Sequence, residues 1–244
     1  MTSPQTRRPA EFVERALCVL AHPDDVDFGS AGTVATWTTA GTEVTYLIVT
    51  DGDAGGFDET PREQMGPLRR AEQEAAAKAV GVTDVRFLGH PDGRLELTLD
   101  LRRDISRVIR QVRPQRVLTS SPERMWDRIG ASHPDHMTVG ESTLRAVYPD
   151  ARNPFAFPEL LADEGLEAWT VSEVWLTASP RADHVVDVTD VVELKFAALG
   201  SHLTQVSHLD DLEGFVTDWM RQTGRRLGLP PGRLGEAFHV VHTA

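Results

Sequence analysis

Two short stretches carry residue types and spacings that can do chemistry. They are Ala21-His22-Pro23-Asp24-Asp25 and Ser132-His133-Pro134-Asp135-His136. His22 and Asp25 are three apart across a turn, so an imidazole nitrogen and a carboxylate oxygen can reach one metal ion. Asp24 then points elsewhere, free to act as a base beside the metal. Taken alone, Asp24 and Asp25 read as helix caps, where carboxylates satisfy free N–H groups and suit the dipole. The second stretch shifts that balance. His133 and His136 lie on about the same side of a helix's first turn, and His136 can complete a site with His22 and Asp25. Two imidazoles and one carboxylate with an open position suit zinc and leave room for a water. Such a water ionises near a pKa of roughly 7, against 15.7 in bulk. Ferrous iron or cobalt fits the same donors, because affinity order does not fix what a cell loads.

The remaining groups fit a hydrolase. Asp24 can take a proton from the water. His133 can stabilise an oxyanion as an imidazolium and later protonate a leaving amine. Asp135 can hold His133 in the right tautomer, the orienting role carboxylates often have for histidine.

These groups need elements to position them. Ala16 to Leu20 is a short apolar run that reads as a buried strand, and Pro23 stops it. A helix follows over 28–40. Glu43–Thr50 is a second strand, with Asp51-Gly52-Asp53-Ala54-Gly55-Gly56 as a loop at its end. Residues 57–66 look irregular, and Pro67 begins a helix that ends at Gly81. Strands are expected at 84–88, 116–119, 173–178, 185–188 and 237–241. Helices are expected at 99–112, 134–148, 190–202 and 211–227. Residues 149–170 hold Pro149, Pro154 and Pro158 and read as a surface excursion with one short helical turn. Strands alternating with helices argue for an α/β fold: a mostly parallel sheet with helices on both faces, in a single domain. In such sheets, loops at the strands' carboxyl ends converge on the ligand site. His-Pro-Asp occurs there three times, at 22–24, 90–92 and 133–135.

Composition narrows the classes. The chain has 244 residues, 40% of them hydrophobic, enough for one sizeable core. Its net charge of −12 argues against nucleic acid or an anionic membrane as a partner. It does not exclude an anionic substrate held by a local arginine. No apolar run reaches the length of a membrane span, so no membrane anchor is expected. Residues 1–11 read as a flexible tail without a signal-peptide centre, and a cytoplasmic location is expected. The single Cys18 rules out an internal disulfide and a cysteine zinc cage, and reads as core. The acidic surface and the proline-rich excursion are compatible with a homo-oligomer.

Other residues carry less signal. Arg69 and Glu72 sit three apart on a helix, where an exposed ion pair is the plain reading. His90 lacks a second ligand at matching spacing and reads as a loop histidine. His202, His208, His239 and His242 show no ligand pattern. Trp126 falls in the loop before the second motif and can line a pocket.

The paired motifs resemble those of the LmbE-like family. That family includes the N-acetylglucosaminyl-phosphatidylinositol deacetylases (PIG-L type) and the deacetylases of mycothiol and bacillithiol synthesis. The resemblance spans about Leu17 to Val241, placing an LmbE-like deacetylase domain at 12–244. It extends to Gly52-Asp53-Ala54-Gly55, Arg69 with Glu72, Asp92-Gly93, Lys195 with His202 and Gln205, and Glu236-Ala237-Phe238. It implies a Rossmann-like fold, one zinc ion and hydrolysis of an acetamide on a small glucosamine conjugate. By position, His22, Asp25 and His136 match the metal ligands, Asp24 the general base, His133 the oxyanion histidine and Asp135 its partner. Arg69 and Asp92 match substrate contacts. One departure is the absence of tyrosine from 120–132, where some mycothiol-pathway members place a functional one; only Tyr46 and Tyr148 occur in the chain.

Three alternatives compete with a deacetylase. One is an amidase that cleaves a larger N-acyl group or a thiol-conjugate amide. Another is a non-catalytic sugar-binding relative, against which Asp24 and His133 argue. The third is a phosphorylated receiver module. It needs an acceptor aspartate at the end of the third strand and a lysine after the fifth, and Asp92 and Ala178-Ser179-Pro180-Arg181 supply neither.

Overall fold

The first strand, β1 (Arg15–Leu20), is the centre of the sheet, and every residue of it after Arg15 is buried. The computed structural model describes residues 9–57 and 60–244. Six further strands follow: β2 (Glu43–Thr50), β3 (Asp84–His90), β4 (Arg116–Ser120), β5 (Glu173–Thr177), β6 (His184–Asp187) and β7 (Gly235–His242). Their order in the sheet is β3-β2-β1-β4-β5-β7-β6. β1 pairs in parallel with β2 and β4, with Leu17 opposite both Thr45 and Val117. β3 and β5 extend this parallel set on either side. β7 runs antiparallel to β5, and β6 antiparallel to β7, so the fold is α/β with a mostly parallel sheet.

Alternation along the strands divides the core by face. Ala16, Cys18, Leu20, Tyr46 and Ile48 face one layer of helices. There they pack with Val34, Ala35 and Trp37 of α1 (Asp25–Thr39) and Ala76 and Ala77 of α2 (Arg62–Ala79). Leu17, Val19, Leu47 and Val49 face the other layer. They meet Leu101, Ile105 and Ile109 of α3 (Leu99–Val112) and Val139 of α4 (Pro134–Arg145). A smaller cluster joins Val188, Leu199 and Leu234 to Val216 and Met220 of α8 (Leu212–Arg226). The remaining short helices are α5 (Glu159–Ala162), α6 (Val192–Leu199) and α7 (Leu203–Val206). Cys18 is fully buried, and burial pushes its thiol pKa up.

Two expectations shift. α2 starts at Arg62, five residues before Pro67, so 62–66 are helical rather than irregular. Gly66 lacks the Cβ that would clash with a following proline, which lets the helix run through. The loop before α4 contains a 3-10 segment, Trp126–Ser132. As expected, the excursion after α4 holds one short helical turn, α5. Of the expected tail, residues 1–8 lie outside the described residues. Ala10 is held at its N–H by Glu173 Oε1 (2.6 Å) and at its carbonyl by Arg116 Nη2 (2.5 Å). Among the described residues, no helix is long and apolar enough to cross a membrane.

A candidate metal centre at the carboxyl edge of β1

The turn after β1 sets the site. Pro23 ends the strand, and the N–H of Asp25 returns to the carbonyl of His22 (3.3 Å). Asp24 adopts φ 90°, in the left-handed region that non-glycine residues rarely occupy. Outside contacts hold it there. Its N–H donates to Gln73 Oε1 (2.8 Å). Arg69 Nη2 donates to Asp24 Oδ2 (3.1 Å) and to the carbonyl of Pro23 (2.6 Å). With the turn so fixed, α1 starts at Asp25, and His22 and Asp25 face the same point.

α4 supplies the second half. Pro134 takes the first helical position, and His133 caps the helix by accepting the Asp135 N–H at Nδ1 (3.2 Å). Close approach of α4 to β4 needs a glycine at position 140, where a Cβ would collide with the carbonyl of Ser120. That approach sets His136 over the β1 edge.

The three expected ligands converge. His22 Nδ1 and His136 Nε2 are 3.1 Å apart. His136 Nε2 lies 2.9 Å from Asp25 Oδ1, and His22 Nδ1 3.4 Å from Asp25 Oδ2. Tetrahedral donors at about 2.0 Å from one ion stand about 3.3 Å apart; this triangle of residues has that size, with each nitrogen beside a different oxygen of Asp25, and His22 and His136 also form a metal-capable group with His133. Charge points the same way. Burial opposes a charge on His22, yet Asp25, Asp135 and Asp92 around it push its pKa up to about 12. Burial also opposes ionisation of Asp25, yet His136 and His22 hold its pKa well below the usual carboxylate range. This carboxylate cluster favours positive charge at its centre, which a divalent cation would supply with neutral imidazoles.

Asp92 and Asp135 stand behind His22. Its Nε2 lies 2.9 Å from Asp92 Oδ1 and 3.3 Å from Asp135 Oδ2. These contacts place the ring proton on Nε2 and leave the Nδ1 lone pair for the cation. The expected contact of the Asp135 carboxylate with the His133 ring is not formed. That carboxylate is turned to His22 and accepts the N–H groups of Gly93 (2.7 Å) and Leu95 (3.3 Å). His133 is oriented instead by the backbone of Asp135. With Nδ1 accepting, neutral His133 carries its proton on Nε2. Burial, then His22 and His136, lower its pKa, which favours the neutral ring over the expected imidazolium. The three imidazoles stand 5.0 to 5.1 Å apart, centre to centre.

Burial raises the Asp24 pKa to about 6, against the opposing pull of Arg69. Arg69 is 3% exposed, and its Nη1 donates to the carbonyl of Gly52 (3.0 Å). It faces the protein's own groups, and so does Asp92, which accepts the Ala54 N–H (3.2 Å). Glu72 makes no pair with Arg69; it accepts the N–H and hydroxyl of Thr204 (2.8 and 2.6 Å). Trp126 is 80% exposed, and Met125 lines the cleft in its place.

Behind the site, Gln73 and Asp27 belong to no motif, whereas Lys195, His202 and Glu236 are positions the resemblance includes. Gln73 Nε2 donates to Asp27 Oδ2 (2.8 Å), which His202 Nε2 also meets at 2.8 Å. Lys195 Nζ bonds the carbonyls of Asp27 (2.9 Å) and Phe28 (2.7 Å) and Glu236 Oε1 (2.7 Å). The only sequence signal for Gln73 is its place one helical turn after Arg69, on the same face of α2.

Fold and site together define an amide-hydrolysing α/β enzyme built around a metal-capable cluster. A sequence model of the GlcNAc-PI de-N-acetylase family (PIG-L) matches residues 17–147, and the chain belongs to that family. It is 32% identical over 198 residues to a diacetylchitobiose deacetylase of Thermococcus kodakarensis, covering 81% of this chain and 72% of the relative. It is 31% identical to a probable N-acetyl-alpha-D-glucosaminyl L-malate deacetylase 2 of Bacillus cereus, covering 78% and 82%. The structure of N,N'-diacetylchitobiose deacetylase from Pyrococcus horikoshii, complexed with an inhibitor, superposes with a TM-score of 0.85. The match has 29% identity and covers 94% of this chain and 84% of that one.

Proposed function

We propose that the chain removes the acetyl group from an N-acetylglucosamine-type small glycoconjugate. His22, Asp25 and His136 would hold one divalent cation, zinc in our reading. The observation that carries the proposal is the triangle of these residues, 2.9–3.4 Å on its sides through the two oxygens of Asp25, beside an independently held Asp24. The deacetylase relatives support the choice of an acetamide.

When bound, the cation supplies Lewis acidity to the scissile carbonyl. The chain's own groups do the rest. Asp24 accepts a proton from the attacking water as its oxygen bonds to the carbonyl carbon. His133 donates from Nε2 to the oxygen that gains charge. Asp24, now holding the water's proton, gives it to the sugar nitrogen as the C–N bond breaks; the amine leaves, and the acetic acid formed loses its proton to solvent. Arg69 keeps Asp24 in its left-handed turn.

The test is metal content with amine release from N-acetylglucosamine and its glycosides, before and after chelation. About one zinc per chain, with release lost on chelation and restored by zinc, is expected. An Asp24→Ala protein that keeps its zinc and full activity would overturn the assignment of the base.

A further inference from the structure

A cavity of about 400 Å³ opens from Asp25 and His136 toward α8, beside β5, β7 and the loop before α4. Clefts of roughly 300–1,000 Å³ hold whole small ligands. An acetyl group fills little of this one: its methyl is about the size of a water, whose share of liquid volume is roughly 30 Å³. The lining is mixed. Phe28, Met125, Trp219 and Met220 give it an apolar wall, and Ser120, Thr177, Gln222 and Thr223 add hydroxyls and an amide. Such a lining suits a sugar conjugate, whose ring has apolar C–H faces and a rim of hydroxyls.

On the other side of β1 the polar groups are engaged by the protein itself. Arg69 bonds Asp24 and the carbonyls of Pro23 and Gly52. Asp92 holds His22 and the Ala54 N–H, and Asp53 holds Arg62 and the Asp92 N–H. In the cavity, by contrast, the side chains of Thr177 and Gln222 bond no protein group among the described residues. Room and uncommitted polar groups for the substrate beyond its acetyl group therefore lie on the α8 side.

Charge there is one-sided. Arg128, in the 3-10 segment before α4, and Arg226, in the last turn of α8, both line the cavity and are exposed. Neither forms an ion pair with a carboxylate among the described residues. Arg128 lies over the Trp219 ring, 5.2 Å from its centre, a contact through the guanidinium face that leaves its N–H edge open. The carboxylates that line the cavity are already matched. Asp25 faces His22 and His136, and Glu236 faces Lys195 and the N–H groups of Gly32 and Thr33. In a chain of net charge −12, two unmatched guanidinium groups at one cavity select an anion.

We propose that the glycoconjugate beyond its acetamide extends into this cavity, and that Arg128 and Arg226 select an aglycone bearing an anionic group, a carboxylate or a phosphate. The inference rests on the deacetylase reading above and names its substrate class. The chemistry is unchanged: water adds to the acetyl carbonyl carbon, the C–N bond breaks, and the amine gains a proton. The anion takes no part in it and acts through binding.

The experiment compares kcat/KM of the zinc-loaded enzyme on propyl, 2-carboxyethyl and 2-phosphoethyl N-acetylglucosaminides, both anomers of each. It is repeated with an Arg128→Ala, Arg226→Ala double variant, whose exposed positions leave the fold intact. We expect one of the two anionic glycosides to exceed the propyl glycoside by about tenfold or more, the scale of one charge-assisted contact; which of them does so separates carboxylate from phosphate. The anionic-to-propyl ratio should fall about tenfold in the double variant, mainly through KM, and should fall with added salt in the wild type. A propyl glycoside turned over as well as both anionic ones would overturn the inference and leave the deacetylase standing. So would a ratio that the double variant leaves unchanged. No turnover of any acetamide would remove the parent reading and this inference together.

Discussion

Gln73 holds Asp24 by the backbone: its Oε1 accepts the Asp24 N–H at 2.8 Å, while its Nε2 donates to the buried Asp27. A side chain from α2 thereby fixes a left-handed turn at the end of β1. Gln73→Leu removes both bonds, leaving the Asp24 N–H without its acceptor, Asp27 Oδ2 with His202 alone, and the turn without its brace. An unsatisfied buried group costs about 1–3 kcal/mol. We expect kcat to fall by about tenfold to a hundredfold, since displaced catalytic groups cost that much. Zinc stoichiometry should hold, because Gln73 touches no ligand. A variant with wild-type kcat and lowered zinc content would show that the turn does not depend on this bond.

The site was unevenly legible. His22, Asp25 and His136 could be read because two local motifs each sit where a strand ends. Their meeting needs only that β1 and β4 be neighbours, as they are. The start of α2 was not legible, because Pro67 imitates a helix start and the absence of a side chain at Gly66 offsets its usual effect. The partner of Asp135 was misread for a different reason. Nearness in sequence favoured His133, while folding brings Gly93, Leu95 and His22 to that carboxylate from two other strands' loops. The cavity left no local pattern at all. Its wall comes from α1, the loop before α4, α8 and β7, and only their packing makes it a chamber.

His202 gives a pH signature away from the metal ligands. Burial opposes its charge, but the bond to Asp27, with Asp24 and Glu72 nearby, raises its pKa above the ordinary 6.5. Lys195 also packs against this group, through the carbonyl of Asp27. A raised folded pKa contributes stability that is complete below the unfolded pKa and is lost as pH rises through the folded one. Urea unfolding of wild type and His202→Gln, in chelator from about pH 6 to pH 9, reads this out. The gap between them should shrink as pH rises. A constant or widening gap would place neutral histidine at this position throughout.

Lys195 and Glu236 form a fully buried pair that ties α6 to the start of β7 and, through Gly32 and Thr33, to α1. Breaking one partner strands the other charge. Lys195→Met should cost about 3–5 kcal/mol in urea unfolding. Adding Glu236→Gln removes the stranded charge and keeps an acceptor for one of the two α1 N–H groups. The double variant should therefore be more stable than the sum of the two single losses. Strict additivity would mean that the pair does not interact across its 2.7 Å.

The last prediction concerns the carboxylates behind His22. Asp92 and Asp135 both meet Nε2, and this fixes the tautomer whose Nδ1 lone pair faces Asp25 and His136. Either carboxylate can hold the ring proton, so losing one should weaken the cation and not abolish its binding. Asp135→Asn or Asp92→Asn should raise the zinc Kd by about 10- to 100-fold, the range for partners of a ligating histidine. Asp25→Asn with His136→Ala should abolish binding at the same concentrations. The readout is competition with a chelating zinc indicator, supported by the rise in Tm on adding zinc. At a hundredfold excess over Kd, binding contributes about 2.7 kcal/mol, so a weaker site shows a smaller rise at fixed zinc. Wild-type Kd in Asp135→Asn would return that residue to a purely structural role, bonding Gly93 and Leu95. Wild-type Kd in Asp25→Asn with His136→Ala would remove the triangle as the cation site.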